Sequence, residues 1–124
     1  MVKTILIVED NQNNAELLED ILSVRGYNIN IVTRGEDALE SVEKMKPDLI
    51  LMDIQLPGID GYEITRRLKK DPFTQDIIII AVTAYALKGD EMKALRAGCD
   101  DYMSKPINTR ELPEMVERYI GPAD

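Results

Sequence analysis

Asp53 closes a run of four apolar residues, Leu49, Ile50, Leu51 and Met52, in a carboxylate. Apolar residues in unbroken succession read as a buried strand, which places Asp53 where that strand reaches the surface. The run at residues 5–8 (Ile-Leu-Ile-Val) ends the same way, in Glu9 and Asp10. A third run, 77–82, ends in Thr83, and a short fourth segment leads through Tyr102, Met103 and Ser104 to Lys105 and Pro106. In an open parallel sheet the C-terminal ends of the strands share one edge, where ligands bind. Three acids, a hydroxyl and an ammonium are therefore expected at a single site.

Crowded carboxylates need compensation. Three of them within a few ångströms repel one another by several kcal/mol at an effective dielectric of about 20. Acids are common at strand ends and helix starts, and Asp10 or Asn11 would serve equally to cap the first helix. Two neighbouring central strands that both end in acids favour a cluster that is protonated or holds a cation. The candidate ligands are all oxygens; the chain has no histidine, and Cys99 follows the fourth helix at some distance in sequence. Few protein ligands leave coordination places for water, which suits Mg2+, or Mn2+, better than Ca2+. Such an ion beside a carboxylate usually serves phosphate chemistry, and Thr83 and Lys105 would offer phosphoryl oxygens a donor and a positive charge. The reaction these residues suit is phosphoryl transfer to Asp53, in which positioning and charge neutralisation supply most of the rate.

The elements that must hold these groups alternate, strand then helix, five times. The first helix carries Leu17, Leu18, Ile21 and Leu22 as its inward stripe and stops at Gly26. Ile29 and Ile31 mark a short second strand. The second helix starts after Gly35, turns Ala38, Leu39, Val42 and Met45 inward, and must end before Pro47. The third carries Ile64 and Leu68 between Gly61 and Pro72, the fourth spans about 87–98, and the fifth carries Leu112, Val116 and Tyr119. Pro113 costs a hydrogen bond unless it lies in a first turn, so regular helix should begin near Thr109 or later. Right-handed crossovers then favour a single doubly wound (βα)5 domain over residues 1–124, with its parallel sheet in the flavodoxin-like order 2-1-3-4-5. The chain stops shortly after the fifth helix, so no output domain is expected.

Totals exclude several classes of function. A chain of 124 residues is one domain's worth, with 44% hydrophobic and 31% charged residues, ordinary for a soluble globular protein. The longest apolar run is far short of the roughly 20 residues a membrane span needs, and the N-terminus lacks a signal peptide's layout. One cysteine makes no internal disulfide, which fits a reducing cytoplasm. A net charge of −8 argues against nucleic acid as a partner and is compatible with a cation. Without histidine, any phosphohistidine must come from another protein.

Taken in order and at their spacings, the motifs resemble the receiver domain of the two-component response regulators, the CheY-like family, over nearly the whole chain. They are Glu9, Asp10 and Asn11 after Ile-Val, then Asp53 within Leu-Met-Asp-Ile-Gln-Leu-Pro-Gly-Ile-Asp-Gly as far as Asp60 and Gly61. Ala-Val-Thr-Ala around Thr83 and Tyr-Met-Ser-Lys-Pro at 102–106 complete the set. The resemblance implies that Asp53 accepts phosphate from the phosphohistidine of a histidine kinase or histidine phosphotransfer protein. It implies Glu9, Asp10, Asp53 and the main-chain carbonyl of Gln55 on Mg2+. Thr83, Lys105 and the main-chain N–H groups of Ile54 and Ala84 would bind the phosphoryl group. A cis peptide between Lys105 and Pro106 is also implied. So is a switch in which Thr83 moves toward the phosphoryl group and Tyr102 turns inward, reshaping the face of the fourth helix, fifth strand and fifth helix for a downstream protein. That segment contains Leu87, Lys88, Met92, Leu95, Tyr102, Leu112 and Met115.

Asp-Ile-Gln-Leu-Pro and Ala-Tyr-Ala-Leu-Lys-Gly-Asp-Glu are most similar to stand-alone DivK-type receivers and receivers of hybrid sensor kinases. Gln55 and Tyr85, two places beyond Asp53 and Thr83, are large enough to shield an acyl phosphate from water. The expected protein is a cytoplasmic phosphoprotein switch, monomeric or weakly dimeric, rather than a turnover enzyme. The rival is a Mg2+-dependent aspartate-nucleophile phosphatase of the haloacid-dehalogenase type, which needs a second acid two residues after the nucleophile. Gln55 stands there and cannot protonate a leaving group. A nucleotide-binding fold is disfavoured because no Gly-x-Gly-x-x-Gly follows the first strand. A purely structural acidic adaptor would not depend on Asp53 for partner regulation.

Overall fold

The apolar runs pair side by side in one parallel sheet. The computed structural model describes residues 2–56, 58–84 and 88–124. Its elements are β1 (Thr4–Val8), α1 (Gln12–Ser23), β2 (Asn28–Val32), α2 (Gly35–Met45), β3 (Leu49–Asp53), α3 (Gly61–Lys70), β4 (Ile78–Thr83), α4 (Lys88–Ala97), β5 (Asp101–Ser104) and α5 (Glu111–Ile120). The strand order is β2-β1-β3-β4-β5, the doubly wound arrangement expected from the alternation.

The central strands are apolar except at their ends, Thr4, Asp53 and Thr83, because both faces are covered. Leu6, Val8, Ile50, Met52, Ile79 and Ala81 point to one side, where Ala38 and Val42 of α2, Ile64 and Leu68 of α3 and Ala94 of α4 pack on them. Their neighbours Ile5, Ile7, Leu49, Leu51, Ile80 and Val82 point to the other, against Leu18 and Leu22 of α1 and Leu112, Met115 and Val116 of α5. All five residues of β3 are buried, Asp53 included.

Local signals set the ends of the helices. The Asn11 side chain accepts from the Asn14 amide at 3.0 Å and caps α1, which leaves the neighbouring Asp10 available to the site. Asp60 caps α3, its carboxylate 2.9 Å from the Glu63 amide. Lys46 ends α2 in the left-handed region, φ 44°, immediately before Pro47. Pro113 is the third residue of α5, inside the first turn, while the Asn108 side chain accepts from the Arg110 and Glu111 amides at 2.9 and 3.0 Å. Among the described residues no helix is long and apolar enough to cross a membrane.

One expectation of the helix pattern needs correction. Leu17 does not face the core: it is 45% exposed, whereas Ala15, Leu18 and Leu22 are buried. Successive helical residues diverge by about 100°, so the stripe centred on 15, 18 and 22 turns its neighbour Leu17 toward solvent. Ile21 is half-buried. Pro57, Tyr85 and Leu87 lie outside the described residues. Leu22→Ala should therefore cost about 2–5 kcal/mol in urea unfolding, and Leu17→Ala no more than about 0.5 kcal/mol. Equal losses would show that both leucines carry core packing.

Candidate functional site

Strand register brings the acids together. Val8 pairs with Met52, so Glu9 and Asp53 each follow one step later, level with one another. Both alternate to the opposite face from Val8 and Met52, the side covered by α1 and α5. The Asp53 side chain is turned by its own main chain: the Gln55 amide donates to Oδ1 at 3.0 Å. Asp10 sits just past Glu9, exposed, and oxygens of Glu9, Asp10 and Asp53 all lie within 4.8 Å of each other. Glu9 and Asp53 are 1% and 3% exposed, so little water remains to screen their charges.

Lys105 reaches this cluster from the segment after β5. Its ammonium lies 2.8 Å from Glu9 Oε1 and 3.4 Å from Asp53 Oδ2. Its main chain is tied down as well, because the Lys105 amide donates to the Thr83 carbonyl at 2.7 Å. The Lys105–Pro106 peptide is cis. Thr83 ends β4 fully buried, and Ala84 after it is exposed. The Ile54 amide donates to the Val82 carbonyl at 3.1 Å, extending the β3–β4 ladder one residue past Asp53. Gln55 is exposed beside Asp53, and Tyr102 is half-buried against the core on the α2–α4 side.

The energetics show a site short of positive charge. Burial, and then a hydrogen bond and repulsion from Asp53, push the Glu9 carboxyl up from 4.5 to about 7, despite the opposing pull of Lys105. Burial works against the Lys105 ammonium, but its bond to Glu9 and the charges of Asp53 and Glu9 outweigh that and raise its pKa. Among the described residues, three carboxylates against one ammonium leave negative charge in excess. The donors are all hard oxygens, two of the three carboxylates are buried, and Asp10 opens to solvent. That set fits a hard divalent cation that keeps part of its water shell.

Two residues near the site escaped the sequence reading. Asn14 and Ile107 line a cavity of about 120 Å3 with Glu9, Leu17, Leu18, Lys105 and Pro106. Helical spacing from the Asn11 cap would have put Asn14 over the strand ends. No pattern in the sequence points to Ile107, whose place depends on the path from β5 to α5.

Comparison with known proteins agrees with this geometry. The response regulator receiver domain family model matches residues 5–117. The polar-differentiation response regulator DivK of Brucella anthropi is 44% identical over 123 residues, which cover 99% of this chain and 100% of that protein. A putative response regulator from Chloroflexus aurantiacus has a similar crystal structure, TM-score 0.93 and 35% identity, over 97% of this chain and 98% of that one. The receiver domain of a sensor histidine kinase from Pseudomonas aeruginosa, solved with a magnesium ion coordinated in its active site cleft, gives 0.89 at 40% identity over 98% and 99% of the two chains.

Metal-free stability should carry the signature of the crowded acids. Between pH 4.5 and about 7 the folded chain keeps a proton on Glu9 that the unfolded chain has released. The contribution is complete below the lower value and is lost as pH rises through the upper one. Thermal melts in chelator should therefore show this loss in wild type and a flatter profile in Glu9→Gln. Asp10→Asn and Asp53→Asn should each melt higher than wild type without metal, and lower melting of both would contradict a repulsive cluster.

Proposed function

Because the chain belongs to the response regulator receiver domain family of two-component signalling, we propose that Asp53 is its phosphoryl acceptor. The donor is the phosphohistidine of a histidine kinase or histidine phosphotransfer protein, since this chain has no histidine of its own. The observation that carries the reading is the meeting of Glu9, Asp10 and Asp53 within 4.8 Å, with the Lys105 ammonium against two of them.

An Asp53 oxygen forms the new bond to phosphorus as the bond from phosphorus to the donor's imidazole nitrogen breaks. The electron pair stays on that nitrogen, which takes up a proton. Lys105, already 3.4 Å from Asp53 Oδ2, needs only a short movement to pair with a phosphoryl oxygen instead. The Thr83 hydroxyl and the Ala84 amide donate to the others. The Ile54 amide joins them by sharing or releasing the Val82 carbonyl. Glu9, Asp10, Asp53 and the Gln55 carbonyl would hold Mg2+, or Mn2+, whose charge offsets that of the transferred oxygens when it is bound.

The acyl phosphate changes the charge at the strand ends and so biases a two-state element. Thr83 is the contact through which the change spreads, and Tyr102 is the aromatic that follows it. The output surface lies on α4, β5 and α5, where Met92 and Leu95 are 50% and 48% exposed while Leu112 and Met115 belong to the core. Hydrolysis returns the carboxylate, so the protein is a switch rather than a turnover enzyme. Gln55 offers no acid for the phosphatase alternative.

Incubation with acetyl phosphate and Mg2+ should add one phosphate to wild type and none to Asp53→Asn, read by intact-mass spectrometry. Equal labelling of both proteins, or rapid multiple turnover of a generic phosphate ester, would overturn the proposal.

A further inference from the structure

Gly61 opens α3 directly against the end of β3, and none of the chemistry above uses it. A Cβ at this position would stand 2.7 Å from the Asp53 carbonyl oxygen, 3.0 Å from Ile54 Cα and 3.0 Å from Met52 Cγ. The first two are main-chain atoms, so no rotamer change relieves the overlap; the peptide between Asp53 and Ile54 would itself have to shift. The Gly61 amide donates to the Ile54 carbonyl at 3.4 Å. From the other side the Thr65 hydroxyl, on a wholly buried residue, donates to the Gly61 carbonyl at 2.8 Å. The same short segment is held toward β4 by the bond from the Ile54 amide to Val82, and its Gln55 amide orients the Asp53 carboxylate.

We propose that Gly61, braced by Thr65, is the positioning residue for the segment from Asp53 to Gln55. The missing side chain sets how closely α3 approaches the main chain that carries both the acceptor carboxylate and the Gln55 carbonyl. The inference rests on the reading of Asp53 and Gln55 given above. A methyl group at 61 pushes that segment off its place in the β3–β4 ladder, and the oxygens meant for one cation no longer converge.

The test compares wild type, Gly61→Ala, Thr65→Val and, as a control in the same helix, Leu68→Ala. Calorimetric titration with Mg2+ should show Gly61→Ala binding about tenfold more weakly or worse, the scale expected when an orienting partner is lost. Thr65→Val keeps the side-chain shape without the hydroxyl and should lose about threefold; Leu68→Ala should lose stability but keep its metal affinity within about twofold. Before any metal is added, the amide NMR resonances of Ile54, Gln55 and Val82 should already be displaced in Gly61→Ala. A folded Gly61→Ala with wild-type affinity and unmoved resonances would overturn the inference. So would an affinity loss in Leu68→Ala as large as in Gly61→Ala, because general destabilisation would then explain both. If Gly61→Ala does not fold, Thr65→Val decides: a threefold loss supports the inference and unchanged affinity overturns it. Failure of wild type itself to bind Mg2+ would count against the proposed function, and the metal-free resonances would then judge the positioning role alone.

Discussion

Repulsion among Glu9, Asp10 and Asp53 is the constraint from which the rest of this molecule can be understood. Carboxylates this close, two of them buried, would drive one another apart in a flexible loop, where a small movement restores hydration. Here they cannot separate, because Glu9 and Asp53 follow β1 and β3 at neighbouring positions of one ladder. Those strands are covered on both faces by the packed side chains of five helices. Packing energy spread over the core thus maintains a local arrangement that is electrostatically unfavourable. Burial first, and then the hydrogen bond and charge of Asp53, raise the Glu9 pKa accordingly.

The same arrangement explains why Lys105 is held at two points. Its ammonium partly offsets the acids, and its amide is fastened to Thr83 at the end of the adjoining strand. Charge at the site and the ends of β4 and β5 are therefore mechanically connected. A change in negative charge on Asp53 must alter what Lys105 pairs with, and Lys105 shares its backbone contact with Thr83. Such a link would serve the proposed switch, in which a chemical change at one strand end reaches a surface formed by α4, β5 and α5.

Some outcomes come from the same physics. The resemblance puts the Ile54 amide on the phosphoryl group, and in the fold parallel pairing continues past Asp53 so that this amide donates to the Val82 carbonyl. Leu17 looks like core beside Leu18, yet helical rotation turns it outward beside the site, where it lines the small cavity near Glu9. Asp10 and Asn11 are equal candidates for the α1 cap, and the folded backbone chooses Asn11, whose oxygen lies 3.0 Å from the Asn14 amide. Each of these outcomes depends on where a neighbouring chain segment lies in space.

The sequence by itself was sufficient for the strand–helix alternation, the sheet order and the residues gathered at the strand ends. Apolar runs, glycines, prolines and terminal acids act through local geometry and a handedness shared by all such crossovers, so their effects can be read along the chain. Only the tertiary structure decided how close the acids come, that Lys105 pairs with Glu9 more tightly than with Asp53, and that Gly61 must lack a side chain. Those facts depend on sub-ångström packing between segments distant in sequence, and no spacing within a single segment encodes them.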